Sequence, residues 1–222
     1  MLHIYGSSLS SPTNKVRYTA NYLQIPHEYH PVNLGAGEHR KPEFLKINPI
    51  GKIPAIDDDG FKLAESNAII RYLADKHQSP LYPRDLQQRA LVDQWIDYAS
   101  VHVMVALGKI MYNTYFYKFG GAALDERSLQ DGKHFIGICL PIVEQQLSQS
   151  TYIAGEKISL ADLVMLAALD VSETVNIDLS VYPHIVAWRK KLMSEKFYTD
   201  CHESYTVAFN KIMAARAQKV ST

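Results

Sequence analysis

The chain has 222 residues, and its 23 lysines and arginines balance 23 aspartates and glutamates, so its formal charge at pH 7 is zero. This balance argues against nucleic acid and anionic membranes as partners, because both attract strongly basic surfaces. The two cysteines, Cys139 and Cys201, lie far apart and fit no CxxC or metal-ligand spacing, which argues against a disulfide framework, a dithiol redox centre and a zinc site.

The first third of the chain alternates short apolar segments with segments of helical periodicity, as a small α/β domain does. In the first helical segment Val16, Ala20 and Leu23 fall on one face, while Pro12 suits a first turn, where its missing N–H would be unpaired anyway. The predicted elements, in chain order, are a strand at 2–5, a helix at 12–23, an extended segment at 29–33, a helical turn at 42–47, a hairpin of strands at 53–56 and 61–63, and a long helix from about Ser66.

Beyond the polar, proline-containing residues 77–83 the strand signals fade and long amphipathic helices follow. We therefore predict an α/β domain at 1–78, a linker at 79–86 and an all-helical domain at 87–222. Ser159 and Asp162 have the spacing of a capping box, in which each side chain bonds the backbone N–H of the other residue. The predicted helices of the second domain lie at about 86–119, 125–149, 160–171 and 182–193, with more helix toward the end.

Two short segments of the α/β domain are suited to binding a peptide. A proline entering a strand, as in Ile53-Pro54, belongs at an edge or a first position, and a cis bond there turns the backbone groups of Ile53 outward. Glu65 and Ser66 stand directly before a long helix, where unpaired N–H groups favour an anion. Each segment alone is better explained as an ordinary edge proline or a helix cap. Their order within one small unit is what indicates a site.

Three longer motifs make the indication specific: GEHRKPEFLKINP at 37–49, NPIGKIPAIDDDGFKLAESNAIIRYL at 48–73 and YIAGEKISLADL at 152–163. With them the chain resembles the cytosolic glutathione transferases, in particular the serine-using theta-like, delta-like or bacterial types, over essentially its whole length. The resemblance implies a thioredoxin-like α/β N-terminal domain, an all-α helical-bundle C-terminal domain, and conjugation of the glutathione thiolate to hydrophobic electrophiles.

The resemblance also assigns residues to glutathione. In the family the bond before the proline is cis, and the residue preceding it pairs its backbone with the cysteinyl part. The glutamate-serine pair holds the γ-glutamyl end, and a histidine and a lysine lie near the glycyl carboxylate. The positions that match in this chain are His39, Lys52, Ile53, Pro54, Glu65 and Ser66.

The thiol must also be activated, because glutathione reacts as the thiolate and an unperturbed thiol, with a pKa of about 8.5, is mostly protonated at neutral pH. Ser10 has the spacing of the catalytic serine in the serine-using classes, two residues before Pro12 and five before Lys15. Ser11 is predicted to cap the first helix. Tyr5 remains an alternative to Ser10, since it lies near the strand end where the tyrosine-using classes place their hydroxyl.

The electrophile is expected in an apolar cleft between the two domains. Near the end of the long helix, Tyr112, Tyr115, Phe116 and Phe119 recur at or near helical spacing, and in the family this end faces the active site. Each of the four aromatic residues fits a place in the helical core equally well.

The remaining predictions concern partners and location. The family generally forms two-fold dimers, which implies a homodimer, and glutathione is the co-substrate without a further cofactor or metal. His27-Glu28-Tyr29-His30 lacks the helical spacing of a metalloprotease motif and is interpreted as surface, and residues 57–60 as a hairpin turn. Residues 163–169, the longest apolar run, are too short to span a bilayer, and the start of the chain is unlike a secretory signal, so we expect a cytoplasmic protein. The alternatives are a glutathione-dependent dehalogenase or peroxidase, and a non-catalytic binding module of the same fold.

Overall fold

The computed structural model describes residues 1–119 and 122–210, without the side chains of Lys118 and Phe119. The strands of its first part are β1 (Leu2–Gly6), β2 (His27–Pro31), β3 (Ala55–Asp58) and β4 (Phe61–Ala64), and the helices are α1 (Ser11–Tyr22), α2 (Pro42–Leu45) and α3 (Ser66–Lys76). The strands form one sheet in the order β2-β1-β3-β4, in which β1 runs parallel to β2 and antiparallel to β3.

Alternation along β1 sorts its side chains to the two faces of the sheet. Leu2 and Ile4 are buried in the main core together with apolar residues of α1 and α3, whereas Tyr5 packs on Phe44 of α2 on the other face. The predicted hairpin is confirmed, and its two central residues, Asp59 and Gly60, both have positive φ, as a two-residue turn between twisted strands requires.

The second part is helical, with α4 (Leu86–Asp97), α5 (Met104–Thr114), α6 (Glu126–Gln149), α7 (Leu160–Leu169), α8 (Pro183–Met193) and α9 (Lys196–Thr199). The single helix predicted at 86–119 is interrupted by a π-helical turn at Tyr98–Val103 and ends at Thr114, before a 3-10 turn at Phe116–Phe119. Periodicity did not reveal this break, because apolar residues recur through it. None of the described helices combines the length and the apolar character needed to cross a bilayer.

One continuous apolar core joins the sheet to the helical part, from Leu2 to Phe209. Helix α1 lies between the two and is almost fully buried. Its Tyr18 hydroxyl donates to the buried carboxylate of Asp170, at the end of α7, over 2.7 Å. The Tyr198 hydroxyl donates to the other oxygen of that carboxylate. The thioredoxin-like domain followed by a helical domain, expected from the sequence, is thus confirmed.

The capping box at the start of α7 is present and also ties three segments together. One oxygen of the buried Asp162 carboxylate accepts the Ser159 N–H over 2.8 Å, and the other accepts the Ile153 N–H and the Trp188 indole N–H, each over 2.9 Å. Burial raises the pKa of Asp162, and these donors oppose that shift. The sequence predicted the local cap but not the two distant donors.

Replacing Asp162 should therefore destabilise the fold far more than an ordinary cap does. Asp162→Ala leaves several buried N–H donors without an acceptor, so the free energy of unfolding measured by urea denaturation should fall by about 4 kcal/mol. Asp125 is the matched control, because among the described residues its exposed carboxylate accepts only the Ser128 N–H at the start of α6. Asp125→Ala should cost about 1 kcal/mol. Equal losses in the two variants would contradict the tying role of Asp162.

Candidate active site

The loop between β1 and α1 is held against the helix it precedes. The end of β1 lies so close to α1 that a Cβ on Gly6 would be 2.3 Å from the Thr13 side chain. Only glycine therefore fits at this position. The Asn14 amide donates to the carbonyl of Ser8 over 2.8 Å, and the Ser10 N–H donates to the carbonyl of Ser7 over 3.0 Å. These contacts fix the direction in which the loop hydroxyls point.

Ser10 is the N-cap of α1, and its hydroxyl oxygen accepts the Thr13 N–H over 3.3 Å. The cap predicted at Ser11 is therefore wrong: the backbone of Ser10 is extended, and Ser11 is the first helical residue. A serine hydroxyl has one hydrogen to donate besides its lone pairs. Capping uses a lone pair of Ser10 and leaves its hydrogen available at the positive end of the helix.

The neighbouring hydroxyls are engaged elsewhere. Ser8 donates to the Glu203 carboxylate over 2.8 Å, and Ser11 is buried with its oxygen 3.4 Å from the Tyr205 hydroxyl. Tyr5 points to the other side of the sheet, where its ring stacks on His30 at a centroid distance of 4.6 Å. Burial, with the negative charges of Asp57 and Glu28, raises the pKa of Tyr5. The Ser10 hydroxyl hydrogen has no acceptor among the described residues, and Tyr5 lies on the other face of the sheet.

A cleft of about 480 Å³ lies beside the turn before β3, and we call it the polar cleft because three basic side chains, His39, Arg40 and Lys52, stand in its wall. The rest of its wall is mostly apolar and includes Leu34, Leu45, Ile50 and Ile53. The Ile53–Pro54 bond is cis, as the resemblance implied. The buried Asn48 shapes this turn, because its amide donates to the Lys52 carbonyl over 2.6 Å and its oxygen accepts the Ile50 N–H over 3.1 Å.

Glu65 and Ser66 stand at the junction of β4 and α3. Glu65 has φ 65° and ψ 105°, a left-handed conformation that costs of order 1–3 kcal/mol in a non-glycine residue and is found mostly at functional sites. Its side chain is exposed, and Ser66 opens α3. An anion placed here meets the unpaired N–H groups of the first helical turn.

Lys15 is a charged residue near this junction that the sequence analysis did not assign. Its side chain is 2% exposed, and its ammonium group donates to the Asn67 side-chain oxygen over 2.6 Å. Burial and the nearby charge of Arg71 lower the pKa of Lys15 to about 8, while Glu65 opposes the shift. The signal in the sequence was a lysine on the buried face of α1, at helical spacing from the apolar positions.

An apolar cleft of about 270 Å³ opens between the helical part and the loop that joins β1 to α1, which we call the serine loop. Leu34 borders both this cleft and the polar one, so a single ligand can extend from one into the other. The side chains that line the apolar cleft, besides those of the serine loop, come mostly from helices and their ends: Leu34, Met104, Leu107, Met111, Phe116, Ala168, Val171 and Phe209.

Of the three predicted aromatic residues whose side chains are described, Phe116 lines this cleft, and Tyr112 and Tyr115 do not. Tyr115 stacks on Phe209 behind it, and its hydroxyl donates to the Thr174 carbonyl over 2.9 Å. Tyr112 is exposed outside the cleft, and the side chain of Phe119 lies outside the described part of the chain. Met104, Leu107 and Met111 were missed because their spacing on α5 is equally typical of a helix core.

Comparisons with known proteins agree with this geometry. The family model of the glutathione S-transferase N-terminal domain matches residues 1–75, and that of the C-terminal domain matches residues 114–196. The chain is 32% identical to glutathione S-transferase F9 of Arabidopsis thaliana over 173 residues, which make up 77% of this chain and 80% of the relative. This chain belongs to the glutathione S-transferase family. The enzyme class expected from the sequence is confirmed.

Further relatives of this transferase extend over more of its length. Glutathione S-transferase theta-1 of Rattus norvegicus is 30% identical over 213 residues, covering 91% of this chain and 88% of the relative. The solved structure of a delta-class glutathione transferase of Nilaparvata lugens superposes with a TM-score of 0.85 at 32% identity, covering 97% of this chain and 99% of the other. Both agree with the theta- and delta-like resemblance of the serine-using motifs.

Gly108 of α5 lines the apolar cleft, and a Cβ added there would meet no neighbouring atom of the described residues within 4 Å. A larger side chain at this position therefore tests whether the space in the cleft is used by the electrophile. Gly108→Leu should fill the cleft without disturbing the backbone. We expect kcat/KM for bulky electrophiles to fall about tenfold or more, with an unchanged KM for glutathione. Gly137→Leu, at an equally open position on α6 outside the cleft, should leave both constants unchanged. Equal effects of the two variants would contradict the assignment of this cleft to the electrophile.

Proposed function

We propose that Ser10 activates glutathione in this transferase by donating its hydroxyl hydrogen to the thiolate sulfur. The observation that carries the proposal is that the Ser10 hydroxyl caps α1 through its oxygen and lines the apolar cleft, while its hydrogen has no acceptor among the described residues. The positive end of the α1 macrodipole favours the same negative charge. Both effects act on the ionised sulfur and lower the pKa of the thiol.

The polar cleft and the N-terminus of α3 together suit the remainder of the tripeptide. Glutathione has two carboxylates and one amine, and the three basic side chains around Lys52 match its glycyl carboxylate. The γ-glutamyl carboxylate then meets Ser66 and the α3 N-terminus, and its amino group meets Glu65. Between these two ends of the tripeptide, the cysteinyl residue is proposed to pair with the backbone of Ile53.

The chemical step is attack of the thiolate on an electrophilic carbon held in the apolar cleft. The thiol proton passes to solvent when glutathione binds, a carbon–sulfur bond forms, and a leaving group departs with its electron pair or the electrophile's own double bond accepts the electrons. Ser10 stays uncharged throughout and forms no covalent bond. Dehalogenation and peroxide reduction would use the same sulfur, but the relatives named above are transferases and support neither reaction. A non-catalytic binding module would not need a hydroxyl hydrogen directed at the cleft.

Removing the hydroxyl tests this role directly. A hydrogen bond to a charged group contributes about 1.5–3 kcal/mol, so Ser10→Ala should raise the pKa of bound glutathione by about 1–2 units. The same energy should lower kcat with chlorodinitrobenzene about 10- to 100-fold, while the affinity for glutathione changes little. Thiolate absorbance as a function of pH measures the pKa.

Two further variants serve as controls for the Ser10 hydroxyl. Ser10→Thr keeps both the hydroxyl and the cap and should restore activity, whereas Ser8→Ala removes a hydroxyl from the same loop and should have little effect. If Tyr5→Phe raises the thiol pKa and Ser10→Ala does not, the tyrosine activates the sulfur and the proposal is wrong.

We further propose that the enzyme is cytosolic and needs no cofactor besides its co-substrate glutathione. We also propose that it consists of an α/β domain at 1–78, a linker at 79–86 and a helical domain at 87–222. The interval between the end of α3 at Lys76 and the start of α4 at Leu86 supports that division. The finer proposal is a two-fold homodimer. Its support is a patch of exposed apolar side chains along α6 and the junction of the π-helical turn with α5, formed by Val101, Val105, Phe135, Ile138 and Ile142.

The dimer is testable by placing charge in this patch. Val105→Asp combined with Phe135→Asp should reduce the mass found by light scattering from two chains to one, because two unpaired carboxylates would be buried at the interface. Val186→Asp, at an exposed valine of α8 away from the patch, should leave the mass unchanged. A wild-type protein with the mass of one chain would refute the homodimer.

A further inference from the structure

Three metal-ligand side chains meet on one face of the sheet, away from both clefts. His3 lies on β1, and Glu28 and His30 lie on the edge strand β2. The parallel register sets His3 opposite Glu28 and Tyr5 opposite His30, and alternation turns all four side chains to the same side. The sequence analysis interpreted His27-Glu28-Tyr29-His30 as plain surface, because only strand pairing brings His3 beside it.

The potential ligand atoms lie close together. The His3 Nδ1 is 2.9 Å from the His30 Nε2 and 3.4 Å from one Glu28 carboxylate oxygen, and the other carboxylate oxygen is 3.8 Å from the His30 Nε2. Around a tetrahedral ion with bonds of about 2.0–2.1 Å to nitrogen, neighbouring ligand atoms are about 3.3 Å apart. The three distances bracket that value, so small side-chain rotations suffice to admit an ion.

Aromatic packing holds the His30 side chain of this cluster in place. The Tyr5 ring stacks on the His30 ring at 4.6 Å with an interplanar angle of 15°, and Tyr5 itself packs on Phe44. The histidine side chains are about one-third exposed, at 32% and 33%, which leaves a free coordination position open to solvent. Two imidazoles and one carboxylate with an open position form a donor set that zinc and similar divalent ions favour.

We propose that His3, Glu28 and His30 form a divalent transition-metal site, with Zn²⁺ as its preferred ion, that clamps β2 to β1. The competing explanation is a direct hydrogen bond between the two imidazoles, with Glu28 as a bystander. The two explanations differ in what happens when metal is added, because a rigid cluster of three ligands binds one ion per chain and a simple hydrogen bond binds none.

The test is calorimetric titration of the full-length protein with ZnCl₂, after removal of any affinity tag and treatment with chelator, and without glutathione. We expect one ion per chain and a melting temperature that rises with the concentration of added zinc. His3→Gln and His30→Gln should each weaken this binding by at least about tenfold, since even outer partners of metal ligands contribute that much.

His27→Gln is the matched control, because His27 lies on the same strand but on the opposite face, with its Nδ1 bonded to the Ile25 carbonyl over 2.8 Å. It should bind zinc as the wild type does. Titration of the wild type with CoCl₂ gives a second readout, the visible d–d absorption of a low-symmetry site, which does not depend on the folding of any variant. No saturable binding by the wild type, or binding lost equally in His27→Gln, would overturn the proposal.

Discussion

Helix α1 is buried on nearly every side although much of its surface is polar, and this burial constrains the rest of the molecule. Leaving a buried polar group unpaired costs about 1–3 kcal/mol, which favours hydrogen bonds from the polar side chains of α1 to the elements around it. Asn14 is bonded to the serine loop and to Tyr205, Lys15 to Asn67 on α3, and Tyr18 to Asp170 on α7. The sheet, the loop, α3 and the helical part are therefore positioned relative to one another by a single helix.

The active site follows from that arrangement. Because α1 is anchored along its length, its N-terminus is fixed in space, and the cap residue Ser10 is held in the wall of the apolar cleft. The proposed chemistry requires little more than a hydroxyl hydrogen and a helix end, since both stabilise a negative charge on sulfur. In the same proposal the basic side chains of the polar cleft bind one end of glutathione, and the apolar side chains of α5 bind the electrophile.

Much of this was predictable from local sequence, and the remainder depends on contacts between distant residues. The hairpin turn at Asp59 and Gly60 and the capping box at Asp162 are short-range patterns, and both are present. The π-helical turn, the distant donors to Asp162 and the His3 cluster come from tertiary packing or strand pairing, which periodicity does not encode. The cap of α1 was misplaced by one residue, since Ser10 and Ser11 are equally good cap formers and only the backbone separates them.

The central claim is that the helix cap and the thiol donor are the same hydroxyl. The most direct measurement is a crystal structure of this protein with glutathione bound. The account predicts the sulfur within hydrogen-bonding distance of the Ser10 oxygen, with the glycyl carboxylate toward Lys52 and the γ-glutamyl end at Ser66. A sulfur bound to the Tyr5 hydroxyl, or a tripeptide lying outside the two clefts, would contradict it.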